Sequence, residues 1–201
     1  MPHRRVCKWL LTPYDADVAR SDDTKKRLLD AAGVEFARHG IAGARTARIA
    51  AEAGVNEALL FRYFGSKQAL FEQVYDSRVV QTVNDAPMDA SSLPEYAGAL
   101  FDYYRDHEQV LRLAVWMALE RPHAPITAAV RNANDFKVAA IRHAQQAGII
   151  AAQIAPGELL ALVIQLSLSG ASVSPATDPA FDAVERRASV VTAVRLLVTD
   201  R

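Results

Sequence analysis

Apolar positions along the chain recur at intervals of three and four residues, and no stretch alternates apolar and polar residues in steps of two. This spacing is typical of helices with one buried face, so the sequence predicts an all-α fold. The first such stripe joins Leu28, Ala32 and Phe36. Ser21 precedes the stripe and is suited to begin a helix, whereas Gly40 follows it and is suited to end one.

Glycines, prolines and capping residues divide the rest of the chain into further predicted helices. These are predicted over residues 47–53 behind a Thr46 cap, 57–64 behind an Asn56 cap, 66–84, 93–120 with a bend near His107, 126–147, 156–170 and 180–198. Residues 1–20 show no periodicity and contain two prolines, so we expect a disordered N-terminal arm there. A basic arm that touches DNA phosphates is the alternative.

The turn between the second and third predicted helices has the spacing of a helix-turn-helix. Gly54 allows the chain to reverse, while Ile49 and Val55 fill the angle between the two helices. Leu60 and Phe64 face the core. The remaining residues lie near the outer face of the helix or its edges: Asn56, Glu57, Phe61, Arg62 and Tyr63. A helix of this kind can lie in the major groove of DNA, with its first turn against the base edges.

The segment from about residue 22 to residue 75 resembles the tetracycline-repressor (TetR) family. The matching elements are Thr46, Ile49-Ala50, Ala53-Gly54-Val55, Phe61-Arg62-Tyr63-Phe64 and Ser66-Lys67-Gln68-Ala69-Leu70. The resemblance implies a three-helix DNA-binding domain at residues 21–66 and a larger helical domain for effector binding and dimerisation at 67–201. It also implies a homodimeric repressor that binds a palindromic operator in double-stranded DNA and is released by a small molecule.

The resemblance further implies two groups of DNA-contacting residues. Those beside the phosphate backbone are Thr46, Arg62, Tyr63 and Lys67. Those facing base edges are Asn56, Glu57 and Ala58. Cations on phosphates supply much of the affinity of such proteins, and Asn and Glu side chains can read bases. Glu57 also has a second interpretation, as an acid that complements the positive end of its helix dipole. Phe61 stands where the family frequently has Tyr, so the hydroxyl contact to a phosphate is absent.

The charge balance of the chain conceals two unlike parts. The 201 residues carry 23 bases and 23 acids, for a net charge of zero. Residues 1–70 hold twelve bases and eight acids, a net charge of +4, which leaves −4 for the remainder. A basic end beside an acidic remainder is compatible with DNA as a partner of the basic end.

Composition and motifs also exclude several classes of protein. The single Cys rules out a disulfide framework and a Cys-rich zinc site. The longest apolar run falls short of the ~20 residues that a spanning helix needs, so we expect a cytoplasmic protein without a membrane partner. A phosphate-binding glycine loop, a nucleophile elbow and a His-Glu-x-x-His motif are all absent from the sequence. We therefore expect no enzymatic activity, no cofactor and no metal.

The two C-terminal helices carry more apolar residues than one buried face needs. Residues 159–168 are apolar around the whole helix, and the last helix has two apolar stripes. We expect them to pack in their own subunit and in a four-helix interface with a partner, through Leu162, Leu166, Phe181, Val184, Val191 and Val194. A fully internal helix pair in a monomer is the alternative.

Large and polar-tipped residues stand among alanines between residues 93 and 147, a composition that suits a small-molecule pocket. The candidates are Phe101, Tyr104, Trp116, Met117, Phe136 and His143. The same residues are equally typical of an ordinary hydrophobic core.

Two other functions of the protein stay open at this point. One is an all-helical small-molecule-binding protein or enzyme in which the helix-turn-helix is only structural. The other is a DNA-binding module without an effector.

Overall fold

The computed structural model describes residues 13–171 and 182–199, with the side chains of residues 21–171 and 182–199. Within these ranges all regular structure is helical, which confirms the all-α class. Short 3₁₀ turns cover residues 90–92 and 168–170. The α-helices of the described residues are α1 (Pro13–Gly43), α2 (Thr46–Glu52), α3 (Glu57–Phe64), α4 (Lys67–Asp85), α5 (Leu93–Asp106), α6 (Glu108–Glu120), α7 (Ala128–Gln146), α8 (Pro156–Ser167) and α9 (Ala183–Val198).

The first helix begins earlier than the sequence predicted. It starts at Pro13, a residue type suited to the first turn of a helix, and it continues through Ser21. No Gly or Pro lies between these two residues, so nothing in the sequence interrupts a helix there. Residues 13–20 of the predicted arm are therefore helical, and residues 1–12 lie outside the described residues.

Gly40 interrupts the helical backbone of α1 in the way predicted for a glycine at a helix end. Its φ of 70° lies in the left-handed region and its ψ is −174°, so the chain kinks before Gly43. A side chain at residue 40 would also meet the indole of Trp116, whose Cε3 lies 2.9 Å from the ideal Cβ position. Glycine is thus required here by both the backbone and the packing.

The predicted cap of the second helix is wrong. Thr46 is the first residue of α2, and the N-cap is Arg45, which makes no side-chain capping bond. A tertiary contact takes over this task, because the carboxylate of Glu35 accepts a hydrogen bond from the backbone N–H of Arg45 at 3.0 Å. The hydroxyl of Thr46 donates to Glu57 instead.

The caps of the next two helices are confirmed. The Oδ1 atom of Asn56 accepts from the N–H of Leu59 at 2.8 Å, and the hydroxyl of Ser66 accepts from the N–H of Ala69 at 3.1 Å. The predicted bend near His107 is also present, since α5 ends and α6 begins on either side of that residue.

Two hydrophobic cores organise the described residues. The first joins α1–α4, and its centre holds Phe36 and Phe71 in an edge-to-face contact at 5.1 Å. Leu113 of α6 belongs to this core as well. The second core joins α5, α7, α8 and α9 around residues such as Leu100 and Ile141. Since α4 contributes to the first core as far as Val74, this core extends beyond residue 66, where we placed the end of the DNA-binding domain.

Candidate nucleic-acid interface and ligand cavity

The recognition helix α3 has one anchored face and one open face. Leu60 and Phe64 are buried in the N-terminal core, at 0% and 5% exposure. The capped start at Asn56 and the left-handed glycine at residue 65 limit the helix to two turns. Its exposed residues, with its cap, are Asn56, Glu57, Ala58, Phe61 and Arg62. The open face therefore contains all three predicted base-facing residues.

The start of α3 is tied to the start of α2. Glu57 accepts a hydrogen bond from the hydroxyl of half-buried Thr46, so two of the predicted DNA contacts bind each other. Glu57 also occupies the first turn of α3, where a carboxylate complements the helix dipole. Asn56 uses its Oδ1 as the cap, which leaves its amide nitrogen with two donors for an outside partner.

Arg62 differs from the other residues predicted beside the phosphates, because its exposed side chain has no partner among the described residues. Tyr63 is half-buried and shares a hydrogen bond of 3.0 Å with the hydroxyl of Ser21. The ammonium of Lys67 donates to the carbonyls of Ala42 and Ala44, each at 3.2 Å. Lys67 therefore tethers the segment between α1 and α2, whereas no acid in the described part of the chain pairs with the charge of Arg62.

Two residues that the sequence analysis did not single out hold the helix-turn-helix in shape. The guanidinium of Arg27 donates to the carbonyl of Ala53 at 2.7 Å, beside the turn. Glu35 is 7% exposed and lies 3.3 Å from Nε of Arg48, in addition to its bond with Arg45. The sequence could have predicted the role of Glu35, because this residue follows Leu28 by seven positions and so lies on the buried face of α1. A carboxylate at such a position needs an internal partner.

Three residues spaced one turn apart on α6 bind the end of α1. Nε of Arg112 and Nε1 of Trp116 both donate to the carbonyl of Ala37, at 2.7 and 3.3 Å. One turn further, the carboxylate of Glu120 accepts from the backbone N–H groups of residues 41 and 42. Trp116 was predicted to line a ligand pocket, but in the structure it packs against α1. The C-terminal half of the chain thus holds the segment that leads into α2.

A cavity of about 240 Å³ lies among α4, α6 and α7, with further walls from α5 and α8. Its polar and aromatic lining includes Tyr75, Arg78, Thr82, Tyr104, Asn134 and Lys137. Tyr104 is the predicted ligand residue that borders this cavity. Burial raises the pKa of Tyr104 to about 12, so its phenol stays protonated and can donate a hydrogen bond.

The other predicted ligand residues lie elsewhere. Phe101 is 1% exposed and belongs to the C-terminal core. Met117 packs against the N-terminal core and borders a separate depression beside Arg121. Phe136 and His143 lie on the outer face of α7, and Phe136 is 69% exposed. They fall there because the buried stripe of this helix is Lys137, Ile141 and Ala144, about 100° away on the helix surface.

The predicted interface residues divide in a similar way. Val194 is fully buried in the core of its own subunit, so its prediction as an interface residue is wrong. Leu166 packs against the same core, and Val191 is half-buried beside α5. Leu162 and Val184 present apolar side chains at 41% and 76% exposure. The sixth residue of this set, Phe181, lies outside the described residues.

Fold and site together define a helix-turn-helix regulator with a helical second domain, and comparison with known proteins agrees. Residues 28–74 match the family model "Bacterial regulatory proteins, tetR family", and residues 92–195 match "Tetracyclin repressor-like, C-terminal domain". The chain belongs to the TetR family of transcriptional regulators.

Individual relatives support the same class. The chain is 37% identical over 146 residues to the HTH-type transcriptional repressor SCO4008 of Streptomyces coelicolor, covering 72% of this chain and 76% of the relative. Among solved structures, protein SCO4942 of the same species is described as a transcriptional regulator. It superposes with a TM-score of 0.74 at 33% identity, covering 89% of this chain and 99% of its own. The regulator FadR of Bacillus subtilis, solved with stearoyl-CoA, shares the fold at a TM-score of 0.60 and 14% identity, covering 84% of this chain and 96% of its own.

None of the helices in residues 13–171 and 182–199 combines the length and apolar character needed to cross a bilayer. In the same ranges, no three His, Cys, Asp or Glu side chains converge in a way that could hold a metal ion.

Proposed function

We propose that this protein is a homodimeric repressor whose two α3 helices enter successive major grooves of a palindromic operator. A small molecule bound in the α4–α6–α7 cavity releases it from the DNA. The observation that carries the proposal is the open face of α3, where Asn56, Ala58 and Arg62 are exposed and Arg62 has no partner among the described residues. The similarity to a repressor supports the sign of regulation.

The proposed contacts divide into backbone and base contacts. Arg62 pairs with a phosphate, and the remaining donor of Lys67 approaches the same strand after its two carbonyl bonds are made. Thr46 and Tyr63 lie beside the backbone, while Asn56, Glu57 and Ala58 face base edges. Because Glu57 already accepts from Thr46, it reads a base only if that hydrogen bond is exchanged or shared.

The proposed dimer uses the outer faces of α8 and α9. Leu162 and Val184 are exposed there, and Leu196 of α9 is 73% exposed. Exposed apolar residues of this size on two neighbouring helices favour a covered interface. A two-fold axis through it would place the recognition helices one turn of DNA apart, about 34–36 Å, and would match a palindromic site.

The proposed route from ligand to DNA passes through α4 and α6. Both helices border the cavity and also contribute to the N-terminal core. A ligand that binds more tightly to the DNA-free arrangement of these helices lowers DNA affinity, and by linkage DNA lowers ligand affinity by the same factor. In this proposal the protein acts in the cytoplasm by binding rather than by catalysis, with double-stranded DNA, a second copy and one effector as its partners.

Selection of bound sequences from a random DNA pool tests the proposal directly. We expect enrichment of a two-fold symmetric site with half-site centres 10 to 11 base pairs apart or a multiple of that spacing. Glu57→Gln should change the preferred base at one position in each half-site, whereas Asp135→Asn, the same kind of change at an exposed residue of α7, should leave the selected site unchanged. Recovery of the pool without any enriched sequence would contradict the proposed repressor.

A further inference from the structure

The α4–α6–α7 cavity is small and mostly apolar. Its volume of about 240 Å³ lies below the ~300–1,000 Å³ of most small-molecule pockets, so its occupant is a small molecule. Apolar walls come from Val79 and Val83 of α4, Leu111 of α6 and Ile164 of α8. No Asp or Glu is present among the lining residues.

Lys137 is a buried cation on this lining without a charged partner. The residue is 8% exposed, and in the described part of the chain no carboxylate or carbonyl accepts a hydrogen bond from its ammonium. Its Nζ lies 5.6 Å from the ring centroid of Tyr96, a cation–π contact that compensates the charge only in part. Burial lowers the pKa of Lys137, which reflects the same lack of a counter-ion.

Arg78 is a second cation on the lining. Its Nη1 donates to Gln81 at 2.9 Å, and its Nη2 lies 3.5 Å from a carboxylate oxygen of Asp30 on α1. The third nitrogen, Nε, is buried without a hydrogen-bond partner. A buried N–H of a permanently charged group costs free energy when it is unpaired. The lining thus combines two cations, one unpaired and one only partly satisfied.

We propose that the cavity binds a small organic carboxylate, whose anionic group pairs with Lys137 and with Nε of Arg78 while its apolar part lies against α4, α6 and α8. The lining residues include two cations but no acid to pair with them. Because a buried charge is costly until it is paired, an anionic ligand would be stabilised there. The apolar walls select an organic acid over an inorganic anion. The inference rests on the proposed function only in naming this ligand as the effector.

Arg78 also connects the cavity to the DNA-binding domain. The guanidinium that borders the cavity pairs with Asp30 and lies 3.1 Å from the position that a side chain at Gly33 would occupy. A carboxylate on Nε therefore contacts a group that also lies against α1, since Nε itself is 3.8 Å from the same position at Gly33. A ligand that binds one position of this guanidinium more tightly than another shifts the equilibrium between arrangements of α4 and α1.

Calorimetric titration of the full-length protein tests the ligand class. The probes are straight-chain carboxylates from butanoate to decanoate and benzoate, each beside its uncharged amide, together with inorganic phosphate. We expect at least one carboxylate to bind about tenfold or more tightly than its amide. Lys137→Met should weaken that carboxylate by a similar factor and leave the amide unchanged. Lys137→Arg, which keeps the charge, should retain the preference for the carboxylate.

Arg142→Met is the matched control, since it removes an exposed cation from the outer face of the same helix and should leave every affinity unchanged. The inference is overturned if no carboxylate binds, if the amides bind equally well, if phosphate binds as tightly as the best carboxylate, or if Lys137→Met binds like the wild type. None of these results would contradict the proposed binding to an operator, which the DNA selection tests separately. A carboxylate that binds through Lys137 without weakening operator binding instead supports the ligand class and contradicts the proposed release.

Discussion

The carboxylate of Glu120, at the end of α6, accepts a hydrogen bond of 2.7 Å from the backbone N–H of Ala42, just beyond the kink in α1. Its other oxygen accepts from Ile41 at 3.0 Å. Backbone N–H groups freed by the left-handed turn at Gly40 are thereby satisfied by a side chain 78 residues away in sequence. Because α2 begins four residues after Ala42, this contact fixes the C-terminal half of the chain to the entrance of the helix-turn-helix.

Replacement of Glu120 tests how firmly this contact holds the two parts together. Glu120→Ala removes both acceptors, and we expect the free energy of unfolding to fall by about 1–2 kcal/mol. Glu120→Gln keeps one acceptor oxygen and should lose less. Urea denaturation followed by circular dichroism measures both values. Equal stability of Glu120→Ala and the wild type would show that the contact contributes nothing.

Substitution of Gly40 can separate two contributions to the free energy of unfolding, one from the left-handed backbone at the kink and one from the packing around it. Gly40→Ala places a Cβ in the left-handed region and against both the carboxylate of Glu120 and the indole of Trp116, so we expect a loss of about 2–4 kcal/mol. Gly148 has nearly the same φ, 69°, but no atom within 4 Å of its ideal Cβ. Gly148→Ala should therefore show the backbone term alone, about 1–2 kcal/mol. Equal thermal shifts in the two variants would contradict the proposed clash.

Local signals made the recognition helix predictable. Asn56 as a cap and Gly65 as a stop act within a few residues of the chain, so sequence alone predicted both ends of α3 correctly. The start of α2 was not predictable in this way. Its N-cap, Arg45, is held by Glu35 from another helix, and such a tertiary bond leaves no mark beside the helix end.

The residues that line the cavity were predicted less well. The size and polarity of a side chain suggested the candidates, but the helix register determines which residues face the cavity. Phe136 and His143 were selected for their side chains, but neither lies on the buried stripe of α7. Lys137 does lie on that stripe, four residues before Ile141. A lysine at a position that periodicity assigns to the core was the available signal for the site.

Arg62 and Lys67 should respond differently to substitution, although both were predicted to contact phosphates. Arg62→Ala removes a side chain that has no partner among the described residues, so we expect weaker DNA binding, a salt slope smaller by about 1, and unchanged stability. Lys67→Ala should also lower the melting temperature, because its ammonium holds two backbone carbonyls. Gel shifts across a salt series and thermal unfolding measure both effects. A destabilised Arg62→Ala would contradict this division of roles.

The proposed subunit interface predicts a specific monomeric variant. Leu162→Glu places a charge on the exposed apolar face of α8, and we expect sedimentation velocity to show a monomer with much weaker operator binding. Ile149→Glu is the control, since Ile149 is 55% exposed at the turn that follows α7, outside the α8–α9 surface. That variant should remain dimeric. A Leu162→Glu dimer of unchanged stability would exclude this face as the interface.

Lys137 should destabilise the ligand-free protein in a pH-dependent way. The ionisable groups facing it are Tyr75 and Arg78 of α4 and Tyr96 and Tyr104 of α5, none of which supplies a negative charge at neutral pH. Burial lowers the pKa of Lys137 below its ordinary value of 10.5, so the unfolded chain binds the proton more tightly than the folded one. Its destabilising effect is therefore largest below the folded pKa and disappears as the pH rises towards 10.5.

Lys137→Met should accordingly be more stable than the wild type at pH 7, by about 1 kcal/mol or more. This advantage should shrink as the pH rises, because the wild-type lysine loses its charge in the folded state first. Chemical denaturation at several values between pH 7 and pH 10 measures the difference, and Arg142→Met, on the exposed face of the same helix, should show no such trend. A Lys137→Met protein that is less stable than the wild type at pH 7 would mean that the ammonium already has a stabilising partner, and the cavity would then have no unpaired charge to offer a carboxylate.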